Sequence, residues 1–417
     1  MANEVPSCRT PLSTIVQWPI PPPDGFTQIS HWDHTFVAEA WFIFTVMLRA
    51  LTTAILLTTC SVFAGHRTAK EEPQDELDRL WALANLYSNP DSSFLQELSL
   101  SGYYGGEYYA VSSNRGNDDG WEHSRLRWGL RARVLHDFYV RAEVASDPEA
   151  GEVYSQLWNA TVSWEPLKAF HLTLGKFRPQ WSWEGGDSSF YLPTFERSML
   201  VSTARPSNLT GAAVSGEIGN WSYELGIFSG EQAQEFGDFG GGIVYNASIG
   251  YDLDKVFGLK RAELRLDYLH ADHNENSTGI GPWKDNFALS LELREKRWSL
   301  VTELQYVSGD ADSAIGVTVI PSYFLTKKLE LNGRYHFASS SGDSLRLQKN
   351  FERRVGEGIT DKGRGDLYQS AYVGLTYHVK RDRLKFTTGV EWSRMEGGGD
   401  GGSFDGWTWF SGVRLQF

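Results

Sequence analysis

Cysteine is almost missing from this chain: there are two in 417 residues, Cys8 and Cys60, and both precede residue 65. From Gly65 onward the sequence offers no disulfide, no thiolate metal ligand and no cysteine nucleophile. Long apolar runs are scarce as well. Apart from the stretch 41–64, a mean hydropathy of −0.37 and 22% charged residues exclude a helical membrane protein with several spans. Positive charge is the minority sign, with 39 Lys and Arg against 52 Asp and Glu, a net charge of −13. A nucleic-acid binder that works through overall charge is thereby excluded, while a local basic stripe remains open. What the chain has in quantity is glycine, 42 residues, and aromatics, with 16 Trp, 18 Tyr and 23 Phe. That content excludes a mostly disordered chain. Many glycines and aromatics in a chain polar on average suit a β-barrel whose two faces have opposite character.

The first 94 residues read as three pieces. Residues 1–46 show no periodic pattern and are expected to be an upstream segment outside the native protein. Residues 47–64 combine a basic start at Arg49, an apolar core over 50–59 and small residues Val62 and Ala64 before Gly65. This is the pattern of a secretory signal peptide cut after Ala64, and the apolar stretch after Arg49 falls short of the roughly 20 residues of a membrane anchor. Residues 65–94 are charged and helix-permissive around Asp75-Glu76-Leu77-Asp78-Arg79-Leu80-Trp81, and are expected to be a short periplasmic segment.

From residue 95 a two-residue alternation takes over. The segment 125–134 reads Arg-Leu-Arg-Trp-Gly-Leu-Arg-Ala-Arg-Val, with every even position apolar and every odd position Arg or Gly. Strict period two means a strand with one apolar and one polar face. The pattern recurs at 262–269, 288–293 and 329–337, and about sixteen such runs fill 95–417, each long enough for a tilted membrane strand. The connections after odd-numbered runs are long: 113–122, 147–153, 178–207, 230–241, 272–283, 309–313, 341–367 and 396–405. Those after even-numbered runs are mostly tight, such as His136, Gly219, Glu295-Lys296 and Arg381-Asp382. Long outer loops and short periplasmic turns characterise an outer-membrane barrel. Four arginines on one face of one strand would be intolerable in a dry core but are stable toward a water-filled lumen. The expected fold is therefore all-β, a transmembrane antiparallel β-barrel of about sixteen strands over 95–417, in the outer membrane of a Gram-negative bacterium.

Gly175-Lys176-Phe177-Arg178-Pro179-Gln180, followed by Pro193-Thr194-Phe195-Glu196-Arg197-Ser198, resembles the phosphate-selective porin O and P family. Gly342-Asp343, Gly363-Arg364-Gly365-Asp366 and the run from Gly397 to Trp407 carry the resemblance toward the C-terminal end. It implies a homotrimeric channel for small anions, with loop 178–207 folded into the lumen as a constriction. The pore-lining positions it implies are Arg125, Arg127, Arg131, Arg133 and Arg141, with Lys176, Arg178, Arg197 and Arg205 around the loop. The family's lysine cluster has no counterpart, because loop 178–207 contains no lysine and sets its arginines against Glu184, Asp187 and Glu196.

Two readings of the arginines stay open at this point. They line an anion path, or they pair with acids such as Glu143 and stabilise the wall. His270-Ala271-Asp272-His273 is the one metal-like cluster, with surface histidines as the plainer reading, and no metal or cofactor is expected. Arg346, Lys349, Arg353 and Arg354 would draw anions toward the mouth, and the glycine-rich run 397–402 reads as an outer loop. No catalytic set emerges. The expected function is a porin passing small anions and polar solutes, phosphate or polyphosphate among them, with outer-membrane lipid around it and no nucleic acid. The alternative is a plugged barrel acting as an enzyme or adhesin through its loops.

Overall fold

The computed structural model describes residues 76–186, 188–272, 278–347, 352, 355, 364–380, 383–397 and 403–417, all within the compact unit Arg67–Phe417. Segment 1–46, the expected signal peptide 47–64, Asp187, His273, Lys349, Arg353, Arg354, Gly363, the expected turn Arg381-Asp382 and residues 398–402 lie outside the described residues. The described residues begin with helix α1 (Glu76–Ala82) and strand β1 (Asn85–Ser88). The barrel strands begin with β2 (Leu95–Ser113), β3 (Gly116–Val134), β4 (Phe138–Asp147), β5 (Glu152–Leu167) and β6 (Phe170–Phe177). After the short helices α2 (Trp183–Gly186) and α3 (Met199–Ala204) come β7 (Leu209–Ile218), β8 (Trp221–Ser229) and β9 (Ile243–Asp252). Helix α4 (Asp254–Phe257) precedes β10 (Arg261–Ala271), β11 (Trp283–Arg294), β12 (Trp298–Gly309), β13 (Ser313–Phe324) and β14 (Leu329–Ser340). A two-residue ladder of β15 (Leu345–Arg346) and β16 (Arg364–Gly365) leads to β17 (Leu367–Lys380), β18 (Leu384–Glu396) and β19 (Phe404–Gln416).

Barrel neighbours are antiparallel and follow chain order. Strand β19 pairs with β2, from Gly406 opposite Ser113 to Gln416 opposite Tyr103, so the sixteen-stranded sheet closes and leaves no free edge. Below the point where Phe417 and Gly102 exchange backbone hydrogen bonds, β1 takes over the exposed rim of β2, with Asn85 opposite Ser99 and Ser88 opposite Glu97. Helix α1 is seated on the same end: Trp81 Nε1 donates to the Gln416 carbonyl at 2.7 Å and Lys380 pairs with Asp78 at 2.7 Å. The helical character of this segment was expected. Strand β1 was not, since Asn85-Leu-Tyr-Ser88 shows no alternation of its own.

Alternation sorts the barrel's faces as expected. Trp128, Leu130, Leu264, Leu266, Leu289, Leu304, Val317, Leu331 and Leu375 are exposed on the outer surface, an apolar area far larger than a soluble monomer shows, which is the mark of a lipid-facing wall. No described helix is long and apolar enough to cross a membrane. Three of the expected long loops are short, however. Segment 113–122 is mostly strand: β2 and β3 turn at residues 114–115 and pair from Ser113 opposite Gly116 through Val111 opposite Asp118. The acidic residues that read as loop are held in the ladder by tyrosines, with Tyr109 and Tyr108 hydroxyls donating to Asp118 and Asp119 at 3.2 Å each. Connections 148–151 and 310–312 are likewise brief.

The lumen departs further from expectation. It is not water-filled throughout. Trp181, Met199, Leu200, Val201 and Ala204 of the connection between β6 and β7 are fully buried against Phe228, Val244, Leu269, Ala288, Val307, Ala314 and Ala338 of the wall, joined by Leu345 and Leu347.

On the lumen face of β3, Gly129 interrupts the arginines and leaves room for Glu143. A Cβ there would fall 2.0 Å from the Ala142 carbonyl oxygen and 2.7 Å from Glu143 Cα. Gly129→Val is expected to lower stability by about 1–3 kcal/mol, read as a lower urea midpoint for loss of the folded band in unheated gel electrophoresis.

Candidate functional site

The connection spanning residues 178–208 determines the site by what it covers. Its amide and side-chain groups are taken up around one long arc of wall. Gln180 N–H donates to Glu224 of β8 at 3.0 Å and Ser182 N–H to Asp267 of β10 at 2.9 Å. Ser182 Oγ donates to Glu303 of β12 at 2.7 Å, and Trp183 Nε1 to Glu292 of β11 at 3.1 Å. On β14, Arg334 lies 3.5 Å from Glu184 and 2.7 Å from Glu391, with all three side chains buried. Lys385 of β18 donates to the Leu192 carbonyl at 3.3 Å and Arg414 of β19 to the Ser189 carbonyl at 2.6 Å. Ser182 holds a left-handed backbone, φ 66°, uncommon for a residue with a side chain, where the connection turns inward. The wall from β8 through β14 is thus covered at the level of these anchors, while a cavity of about 390 Å³ lined by Ser222, Asp252, Arg261 and Glu263 remains at the turn end of β8–β10.

Opposite, along β3–β6, space remains. A cavity of about 240 Å³ is lined by Arg125 and Arg127 of β3, Arg141 of β4, Trp158 and Asn159 of β5, and Phe177 and Arg178 at the end of β6, with Arg197, Arg205 and Asn208 from the connection. Six guanidinium groups meet there, and among the described residues no carboxylate side chain lines it. A second cavity of about 250 Å³ shares Arg127, Arg141 and Ser188 with the first and adds Arg131, Tyr139, Glu143, Tyr191 and Gln416. The two therefore adjoin along the inner face of β3 and β4.

The arginines are individually held. Arg127 lies over the Trp158 ring at 3.5 Å and faces Tyr103 at 5.6 Å, while Arg178 lies over Trp158 at 5.6 Å. Such cation–π contacts contribute about 0.5–2 kcal/mol and leave the N–H edges free for an anion. Glu143 accepts from Arg141 at 2.6 Å, from Arg131 at 3.2 Å and from Ser101 at 2.9 Å. Arg197 Nε donates to the Glu184 carbonyl at 2.6 Å.

Most residues expected from sequence therefore converge. Arg125, Arg127, Arg141, Arg178, Arg197 and Arg205 share one cavity, and Arg131 lines its neighbour. Two do not join them. Arg133 bonds the His136 carbonyl at 3.1 Å and pairs with Glu165 at 3.4 Å. Lys176 pairs across the ladder with Ala160, on the opposite face from Asn159, and donates to the Ala233 and Gln234 carbonyls at 2.7 and 2.9 Å. Of the two readings left open, pairing describes Arg131, Arg133 and Arg141, whereas Arg127 stacks. His270 contacts Asp285 at 2.8 Å and Asp272 at 3.4 Å, and among the described residues no group of three His, Cys, Asp or Glu is placed to hold a metal. Trp158 escaped sequence reading because alternation assigns it to the lipid face.

Residues 81–280 match the family model described as Phosphate-selective porin O and P. Among solved structures, the anion-selective porin from Comamonas acidovorans superposes with a TM-score of 0.54 at 12% identity, over 77% of this chain and 99% of that one. The outer membrane channel DcaP of Acinetobacter baumannii gives 0.53 at 11% identity, over 80% and 100%. Salmonella typhi OmpF, solved with daunomycin, gives 0.54 at 12% identity, again over 80% and 100%. These likenesses establish a shared barrel fold. A comparison with curated protein sequences returns no match.

Glu143 is the carboxylate that tempers this arginine group. Replacing it by Gln removes a charge-assisted partner from both Arg131 and Arg141. Glu143→Gln is expected to cost about 1–3 kcal/mol, seen in urea titration, and to move the reversal potential in a KCl gradient toward the anion side.

Proposed function

We propose that this chain, whose residues 81–280 match the family model Phosphate-selective porin O and P on a closed barrel, is a porin, a channel for passive diffusion across a Gram-negative outer membrane, and that it admits small anions and polar solutes through an arginine-lined path along β3–β6. The observation that carries this reading is the gathering of six arginines around one cavity, with no carboxylate side chain among the described residues of its lining. Guanidinium groups replace part of an anion's hydration with fork-shaped donors. Adjoining cavities that share Arg127 and Arg141 supply the successive weak sites that conduction needs. Phosphate and polyphosphate fit the charge of this path, and the proposal includes assembly as a homotrimer, as the family resemblance implies. The plugged-barrel alternative would require the wall of β3–β6 to be occluded as β8–β14 is, and the two cavities favour the channel.

The test is the reversal potential of the purified, refolded protein in a planar bilayer under a KCl gradient. The native chain is expected on the anion side, and Arg127→Glu combined with Arg205→Glu is expected to move it toward potassium. A cation-selective native channel would overturn the reading.

A further inference from the structure

Strand β5 carries one residue more than β4 where they meet: Glu143 faces Asn159 and Val144 faces Leu157, which leaves Trp158 as the extra residue of a β-bulge. Regular alternation would send residues 158 and 159 to opposite faces. The bulge lets both line the same cavity, the kind of re-aiming that bulges provide near functional sites. The bulged backbone is itself fixed from inside, since Asn208 donates its side-chain amide to the Trp158 carbonyl. Two arginines then share the indole, Arg127 at 3.5 Å from the ring centroid and Arg178 at 5.6 Å.

We infer that Trp158 is a positioning residue for the anion path, holding Arg127 and Arg178 so that their N–H edges converge on a multivalent oxyanion. The inference rests on the reading of the chain as an anion channel and deepens it. Guanidinium groups crowded into a cavity of about 240 Å³ repel one another and would splay apart without a surface to lie on. The negative face of an indole offsets that repulsion and fixes the guanidinium plane. Chloride responds to the field of the arginines wherever they stand. An oxyanion bridged by several forks needs those forks in fixed places. The number of arginines therefore sets the sign of selectivity, and Trp158 sets how long a multivalent oxyanion stays.

The experiment uses the folded full-length protein in planar bilayers, with KCl as carrier and inorganic phosphate as the probe. Native protein, Trp158→Leu and Trp158→Phe are compared for reversal potential and for the phosphate concentration that halves the chloride current. The leucine variant is expected to stay on the anion side and to need about tenfold more phosphate, and the phenylalanine variant about threefold more, in line with the weaker ring. An unchanged phosphate concentration in Trp158→Leu would overturn the inference, as would equal weakening in the two variants, which would make the ring a filler of the bulge. If the leucine variant does not insert, Trp158→Phe decides, and inhibition equal to native overturns the inference. A cation-selective native channel would remove the reading beneath it.

Discussion

A closed barrel must face lipid outside, so its polar groups turn inward, and everything inward must then be hydrated, paired or covered. This chain answers differently on two sides of one lumen. Along β8–β14 the wall's Asp267, Glu303, Glu292, Arg334 and His336 are covered by the connection 178–208 and bonded to it. Arg334, with its side chain wholly buried between Glu184 and Glu391, is the costliest of these to bury and the most damaging to break. Leu200 and its apolar neighbours then exclude water from that half. The proposed path along β3–β6 runs where the connection leaves the two arginine-lined cavities open.

The wet half has its own logic. On the lumen face of β3, Arg131 pairs with Glu143 and Arg133 with Glu165. Arg127 and Arg178 lie on Trp158 instead. These two cations are held in place by an aromatic ring, which the proposed channel needs in order to attract an anion and still release it.

Sequence periodicity was enough for the barrel, because strands that face lipid on one side and water on the other must alternate, and segment 125–134 does so without exception. The same rule located most of the arginines that meet in the cavity. It failed where alternation is broken or overridden. Trp158 sits on a bulge that no single-strand pattern reveals. Asp118 and Asp119 read as loop until Tyr109 and Tyr108 appear across the ladder. Lys176 reads as a partner of Arg178, yet the pleat places it with Ala160. Nor could the sequence say which arc of wall the connection 178–208 covers, since its anchors join residues far apart in the chain, 121 positions for Ser182 to Glu303.

The central claim is that the route through this barrel follows β3–β6 and that the β8–β14 side is closed. Single cysteines at Asn159, in the arginine cavity, and at Ser290, on the covered wall of β11, put it to the test in a background with Cys8 and Cys60 replaced by serine. A sulfonate-bearing thiol reagent added to open channels is expected to block current through Asn159→Cys and leave Ser290→Cys conducting. Block at Ser290→Cys with Asn159→Cys unaffected would contradict the account.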